Sequence, residues 1–256
     1  MRSALAFLAA AILVAFAVAA PPVSRAAEPP VDLALVLAVD VSRSITDDEF
    51  KLQRRGYANA FLDPRVQRAI ASGPNRAVAV SYVEWSSFDE QDLVVDWMVI
   101  RDGESAAVFA DRLIAAPRSF YSRTSISAGI DFSVQQLARS GVAADRHTID
   151  VSGDGTNNAG RAVTEARDAA VAAGITINGL AIINEHPDNP YVMSHVQPPE
   201  GLPEYYRQNV IGGVGSFLMV VQDFDSFAEA VTQKLVSEIA GLQPLRERFA
   251  ARGRRP

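Results

Sequence analysis

The sequence contains no cysteine, which excludes disulfides, thiolate nucleophiles and cysteine-ligated zinc. Histidine is almost as scarce. His147, His186 and His195 are the only three, so a Ser-His-Asp hydrolase built on Ser42 or Ser44 would have to draw its base from them, and no Gly-x-Ser-x-Gly elbow is present. Basic residues are in deficit, 24 against 30 acids, and form no broad cationic run, which argues against nucleic-acid binding. The exception is the tail with Arg246, Arg248, Arg252, Arg254 and Arg255, which reads as a solvated terminus. No segment after residue 26 is apolar enough to span a bilayer. Internal repeats and low-complexity tracts are also missing.

What is present begins with residues 1–26. Arg2 gives a positive start, Leu5 to Ala20 are apolar, and Ser24-Arg25-Ala26 supplies small residues for cleavage. This pattern predicts a secretory signal peptide, with an uncleaved membrane anchor as the alternative. Its removal takes away two arginines and no acid, leaving 22 basic and 30 acidic residues and a net charge of −8. The expected location is periplasmic or secreted. The expected organisation is a signal peptide over 1–26, one domain over 27–241 and a basic tail over 242–256. With 48% hydrophobic residues the chain can bury a core large enough to stand without disulfide staples.

Strands and helices alternate along the mature chain. Leu33–Val39 is a continuous apolar run, as expected of a strand covered on both faces. Thr46, with Glu49 three residues later, marks a capped helix start, and that helix is predicted to reach about Ile70. Ala77–Trp85 and Leu93–Ile100 are strands joined by a connection short enough for a hairpin, so the second should run antiparallel. Helices are expected over Ser105–Ala115, Ser125–Ala138, Val163–Ala173 and Phe224–Ile239. Further strands are expected over His147–Val151, Ile175–Ile183 and Ser216–Val221. Such alternation predicts a doubly wound α/β fold: a mostly parallel six-stranded sheet with one antiparallel edge strand and helices on both faces. Residues 184–209 hold five of the 14 prolines and read as a long polar connection.

Ligands in such sheets bind beyond the carboxyl ends of the strands, and three polar segments converge there. Asp40-Val41-Ser42-Arg43-Ser44 follows the first strand. Ser122-Arg123-Thr124-Ser125 opens a helix. Ser152-Gly153-Asp154-Gly155 follows the fourth strand. Together they supply two carboxylates and three hydroxyls, oxygen donors suited to a hard cation that keeps some of its water. Turn capping by Asp40 and Ser42 is the plain structural alternative.

Asp-x-Ser-x-Ser, then a Thr, then Asp-Gly, in this order on this background, resembles a von Willebrand factor A (vWA) domain with its metal-ion-dependent adhesion site, or MIDAS. The resemblance covers roughly Val31 to Ile239. More narrowly, Leu37–Ser44, Asp150–Gly155 and Asn209-Val210-Ile211-Gly212-Gly213 resemble the bacterial DUF1194 group, which brings no activity with it. The vWA resemblance implies that Ser42, Ser44 and Thr124 ligate a divalent ion, with Asp40 and Asp154 close by and acting largely through bound waters. Mg²⁺ is the expected ion, with Mn²⁺ or Ca²⁺ as alternatives. A coordination position would remain for an Asp or Glu of a protein partner.

Other residues are weighed as partner contacts at the same edge: Arg43 between the two serines, Glu84 and Trp85 at the end of the second strand, and Tyr191, Tyr205 and Tyr206 in the Pro-rich segment. Core packing is the alternative for Trp85. A metal-dependent phosphate or ester hydrolase is the competing functional class. Asp40 stands where a phosphatase nucleophile would, but Ser42 replaces the usual second Asp, and Glu84 is left as the one candidate base. Gly212-Gly213-Val214-Gly215 precedes a strand and opens no helix, so it is not a dinucleotide loop.

Overall fold

The computed structural model describes residues 30–183, 198–222 and 226–241. The proposed signal segment, His186, Tyr191, His195 and the basic tail lie outside the described residues. β1 (Leu33–Asp40) is buried along its whole length. Leu33, Leu35, Leu37 and Val39 enter the core on one face of the sheet, and Ala34, Val36 and Ala38 enter the core on the other. Period-two alternation divides this apolar run between two layers, so it reads as continuous in sequence. Each large side chain buried in this way contributes roughly 1.5–3 kcal/mol.

The six strands are ordered β3-β2-β1-β4-β5-β6. β1 pairs in parallel with β2 (Val78–Trp85) and with β4 (His147–Gly153). β5 (Thr176–Ile182) and the short β6 (Leu218–Val221) continue the parallel sheet. β3 (Gln91–Ile100) pairs antiparallel with β2 as the hairpin predicts, with register irregularities between Val80 and Val83. Strand order therefore reverses direction around β1, which opens a crevice at the carboxyl ends of β1 and β4. α1 (Asp47–Leu62) packs with α2 (Pro64–Ser72), α3 (Gly103–Ala115) and α7 (Phe227–Ala240) over one face. α4 (Ile126–Arg139) and α5 (Val163–Ala172) cover the other.

Thr46 caps α1 as expected. Its hydroxyl accepts from the Glu49 N–H at 3.3 Å, and its own N–H donates to Glu49 Oε2 at 2.7 Å. The helix does not reach Ile70 unbroken. Asp63 adopts an extended backbone before Pro64, and its carboxylate accepts from the Arg65 N–H at 2.7 Å, so α1 ends and α2 starts there. Proline forbids its predecessor the helical region, while its own fixed φ suits a first helical position. The Pro-rich segment also departs from the expected connection. Its last part forms α6 (Leu202–Tyr205), which continues into a π-helical turn, Tyr206–Val210.

Candidate metal centre

The three polar segments meet at the carboxyl edge. Asp40 is the last residue of β1, and its Oδ1 accepts from the Ser42 N–H at 2.7 Å, which folds the chain into a tight turn. Ser42 Oγ and Ser44 Oγ lie 3.2 Å apart. Thr124 Oγ1 donates to Ser42 Oγ at 3.3 Å, and Ser44 Oγ donates to Asp154 Oδ1 at 2.8 Å. Residues 110 positions apart in the chain are thus in direct contact. All five are buried, the most accessible being Asp154 at 5%. Asp40, Ser42, Ser44, Thr124 and Asp154 form one oxygen-rich cluster.

Other residues hold these side chains in place. The Thr124 N–H donates to Asn158 Oδ1 at 3.1 Å, and the Asn158 N–H returns a bond to Thr124 O at 2.9 Å. The Arg43 N–H donates to Ser122 O at 3.0 Å and joins the first two segments. The Arg118 guanidinium donates from one nitrogen to the carbonyls of Val41, Ser42 and Ile45 at 2.8–2.9 Å. A single guanidinium nitrogen therefore satisfies three carbonyls of the loop. No motif announces Arg118 or Asn158; an Arg in the loop before Thr124 and an Asn four residues past Asp154 are the only sequence traces.

Gly153 is needed for close approach. A Cβ at this position would lie 2.7 Å from Tyr206 Oη and 3.0 Å from Asp40 Oδ2, so any side chain would force the cluster apart.

Electrostatics favour a cation in the cluster. Burial, then the Asp154 charge, push the Asp40 carboxyl well above the usual carboxylate range. Asp40 Oδ2 is buried with no hydrogen-bond partner, and an orphaned buried acceptor of this kind is costly unless a donor or ion meets it. Hydroxyl and carboxylate oxygens without nitrogen or sulfur suit Mg²⁺, Mn²⁺ or Ca²⁺ rather than a softer metal. The residues present therefore fit a hard divalent ion. Among the described residues no three of His, Cys, Asp and Glu group together as a metal cage; here three of the five donors are hydroxyls.

The remaining sequence candidates need correction. Glu84 is not at the surface: its Oε1 accepts from Arg54 Nη2 at 2.6 Å and Nε at 2.9 Å, and its Oε2 accepts from the Ser119 N–H at 2.9 Å. Trp85 is fully buried beneath α4, where Gly129 leaves room for its indole. Both faces of the sheet are covered, so the last residues of β2 have no exposed side. Tyr206 is likewise buried, with its hydroxyl beside the cluster, and Tyr205 is half-buried with Oη accepting from the Asn157 N–H at 3.2 Å. Arg43 is exposed.

Residues 30–243 match the family described as Protein of unknown function (DUF1194). The chain belongs to the DUF1194 family. No protein of curated function matches it. Solved structures place the DUF1194 chain in the vWA fold. Proximal thread matrix protein 1 from the mussel byssus is similar with a TM-score of 0.58 at 14% identity, over 82% of this chain and 47% of that one. A further structure of the mussel protein, with a zinc-occupied MIDAS motif, is similar with a TM-score of 0.57 at 14% identity, over 84% and 47%. The pilus adhesin SpaC from Lactobacillus rhamnosus GG is similar with a TM-score of 0.56 at 15% identity, over 82% of this chain and 31% of that chain. The DUF1194 chain thus spans about half the length of the mussel protein and less of the adhesin.

Proposed function

We propose that this DUF1194 protein is an exported, metal-dependent protein-binding module that recognises an acidic group of a partner through a bound divalent cation, Mg²⁺ in the first instance. The observation that carries the reading is the convergence of Asp40, Ser42, Ser44, Thr124 and Asp154. When bound, the ion would supply an electrophilic position that a partner carboxylate completes. The chain's own residues would hold the site: Ser42, Ser44 and Thr124 present hydroxyl oxygens, Asp40 and Asp154 supply negative charge, and Arg118 fixes the turn. A set poor in formal charge leaves the ion receptive to one more anionic ligand. The vWA folds of a byssus protein and a pilus adhesin accord with a binding module.

The competing hydrolase requires a base to activate water. Glu84, the one candidate, has both carboxylate oxygens engaged by Arg54 and Ser119, so binding is the reading that the geometry favours. Export rests on the pattern of residues 1–26 and predicts a mature N-terminus near Ala27, which N-terminal sequencing from the native host decides.

A thermal-shift titration tests the metal. Mg²⁺ or Mn²⁺ should raise the melting temperature of the wild type, as any ligand specific for the folded state does. Asp154→Ala, and Ser42→Ala with Ser44→Ala, should abolish the shift while circular dichroism stays native. A wild-type protein indifferent to millimolar concentrations of both ions would refute the assignment.

A further inference from the structure

Two exposed aromatic rings stand on segments joined to the candidate metal centre, one on the β2–β3 hairpin and one three residues before Thr124 in sequence. Phe88, at the tip of the β2–β3 hairpin, is 63% exposed, and Tyr121, in the loop leading to Thr124, is 60% exposed. Among the described residues these are the only exposed aromatic side chains. Both lie at the carboxyl edge of the sheet. Exposed rings are enriched in binding surfaces and carry large contact area at small entropic cost.

Neither ring sits on a loose loop. Ser86 ties the hairpin to the Thr124 loop: its Oγ accepts from the Ser122 N–H and donates to Arg123 O, both at 2.9 Å, and its carbonyl accepts from the Ser125 N–H at 2.7 Å. The hairpin also closes on itself through the Ser86 N–H to Glu90 O at 2.9 Å. Tyr121 is fixed from two directions. Arg118 stacks 3.9 Å from its ring centroid, and its hydroxyl donates to Asp47 Oδ1 at 3.1 Å. The same Arg118 grips the Asp40–Ser44 turn, so one guanidinium positions both the metal-binding turn and the ring beside it. Contacts held rigid before binding lose little freedom on association.

Charge narrows the partner. The protein is acidic overall, with a formal net charge of −6, so an acid-rich segment would be repelled at long range. Exposed Arg43 and Arg123 offset this only next to the site. One carboxylate, not several, suits the centre, and the rest of the affinity must come from apolar contact with the two rings.

Resting on the proposed function, we infer that Phe88 and Tyr121 form a preorganised apolar rim around the metal centre, and that the partner is a protein segment with a single Asp or Glu flanked by apolar side chains. The partner's carboxylate would supply metal dependence, and its flanking side chains would supply selectivity against the many exposed acids of other proteins.

The test is panning of a phage-displayed random peptide library on the full chain in Mg²⁺, with elution by EDTA. Enriched peptides should carry one acid with apolar neighbours. Synthetic copies should bind Phe88→Ala and Tyr121→Ala roughly tenfold more weakly or worse, with the Mg²⁺ thermal shift unchanged in both variants. Because both side chains are exposed, neither truncation opens the core. EDTA-sensitive peptides that are acid-rich, or that bind both variants as tightly as wild type, would overturn the rim while leaving metal-dependent binding in place. A metal shift without any EDTA-eluted peptide would overturn both readings. Loss of the Mg²⁺ shift in Phe88→Ala or Tyr121→Ala would overturn the rim by showing that the rings support the centre instead.

Discussion

Lys234 on α7 places its ammonium 2.6 Å from Asp150 Oδ1 on β4, in the interior of the protein. The same ammonium lies 2.5 Å from Glu238 Oε1, which also accepts from Asn178 Nδ2 at 2.8 Å. All three charged side chains are at most 1% exposed. Two carboxylates thus share one ammonium, next to the buried Tyr57 hydroxyl, whose own ionisation Asp150 opposes. Burial, then the Glu238 charge, push the Asp150 carboxyl up to about 7, with Lys234 pulling it down.

A pH dependence follows. Asp150 binds its proton more tightly in the folded than in the unfolded chain, so protonation stabilises the fold below its unfolded value. That stabilisation drains away as pH rises towards about 7. Urea midpoints of the wild type should fall between about pH 5 and pH 7, and Asp150→Asn should flatten this part of the profile. Equal slopes in the two proteins would show that Asp150 is not the group responsible.

Arg118→Ala should weaken the candidate metal centre without removing any of its five oxygen-bearing side chains. The three carbonyls of the Asp40–Ser44 turn would lose their common donor. By analogy with groups that orient metal ligands, Mg²⁺ affinity should drop about 10- to 100-fold. Isothermal titration measures it, and Arg118→Lys should recover only part of the loss, since one ammonium cannot hold the three carbonyls and also reproduce the guanidinium's donations to Phe120 O and Asp47 Oδ1.

Gly153→Ala should destabilise the fold by about 1–3 kcal/mol through overpacking. The new methyl would meet Tyr206 Oη at 2.7 Å and Asp40 Oδ2 at 3.0 Å. Tyr206→Phe removes the nearer atom, so the double variant should be less destabilised than the two single changes predict. Chemical denaturation of all four proteins completes the cycle; strict additivity would contradict the contact.

Glu84→Gln should cost stability and reveal no catalytic phenotype. It leaves the buried Arg54 guanidinium without its counter-charge, a loss of about 3–5 kcal/mol in comparable buried pairs. The wild type should show no Mg²⁺-dependent turnover on a panel of phosphate and carboxylic esters. Turnover lost in both Asp40→Ala and folded Glu84→Gln would restore the hydrolase.

Much of the fold was legible because its signals are local. The apolar run of β1, the Thr46–Glu49 cap and the short β2–β3 connection each carry their own physical reason. The cluster was legible because strand ends in a parallel sheet must gather at one edge. Glu84 and Trp85 were misplaced because alternation along a doubly covered strand does not tell surface from interior, and the buried partner Arg54 lies 30 residues away. Arg118 was missed because an arginine that caps backbone carbonyls has no companion motif. The break at Pro64 was visible in sequence, yet the apolar spacing on either side concealed it. Tyr206 reads as a loop residue in sequence because proline-rich composition masks the helical turns of 202–210.

The two outermost strands of the sheet have a consequence for how copies and partners can meet. Among the described residues β6 is only four residues long, and β3 is irregular in register, with Asp92 and Asp96 exposed along it. A neighbouring chain seeking to zip onto either side would find too little backbone or a kinked, charged one. Lengthwise polymerisation through main-chain pairing is thereby discouraged. Association is steered away from the flanks and left to the loop-bearing end, where, on the proposed function, a chelator would reverse it.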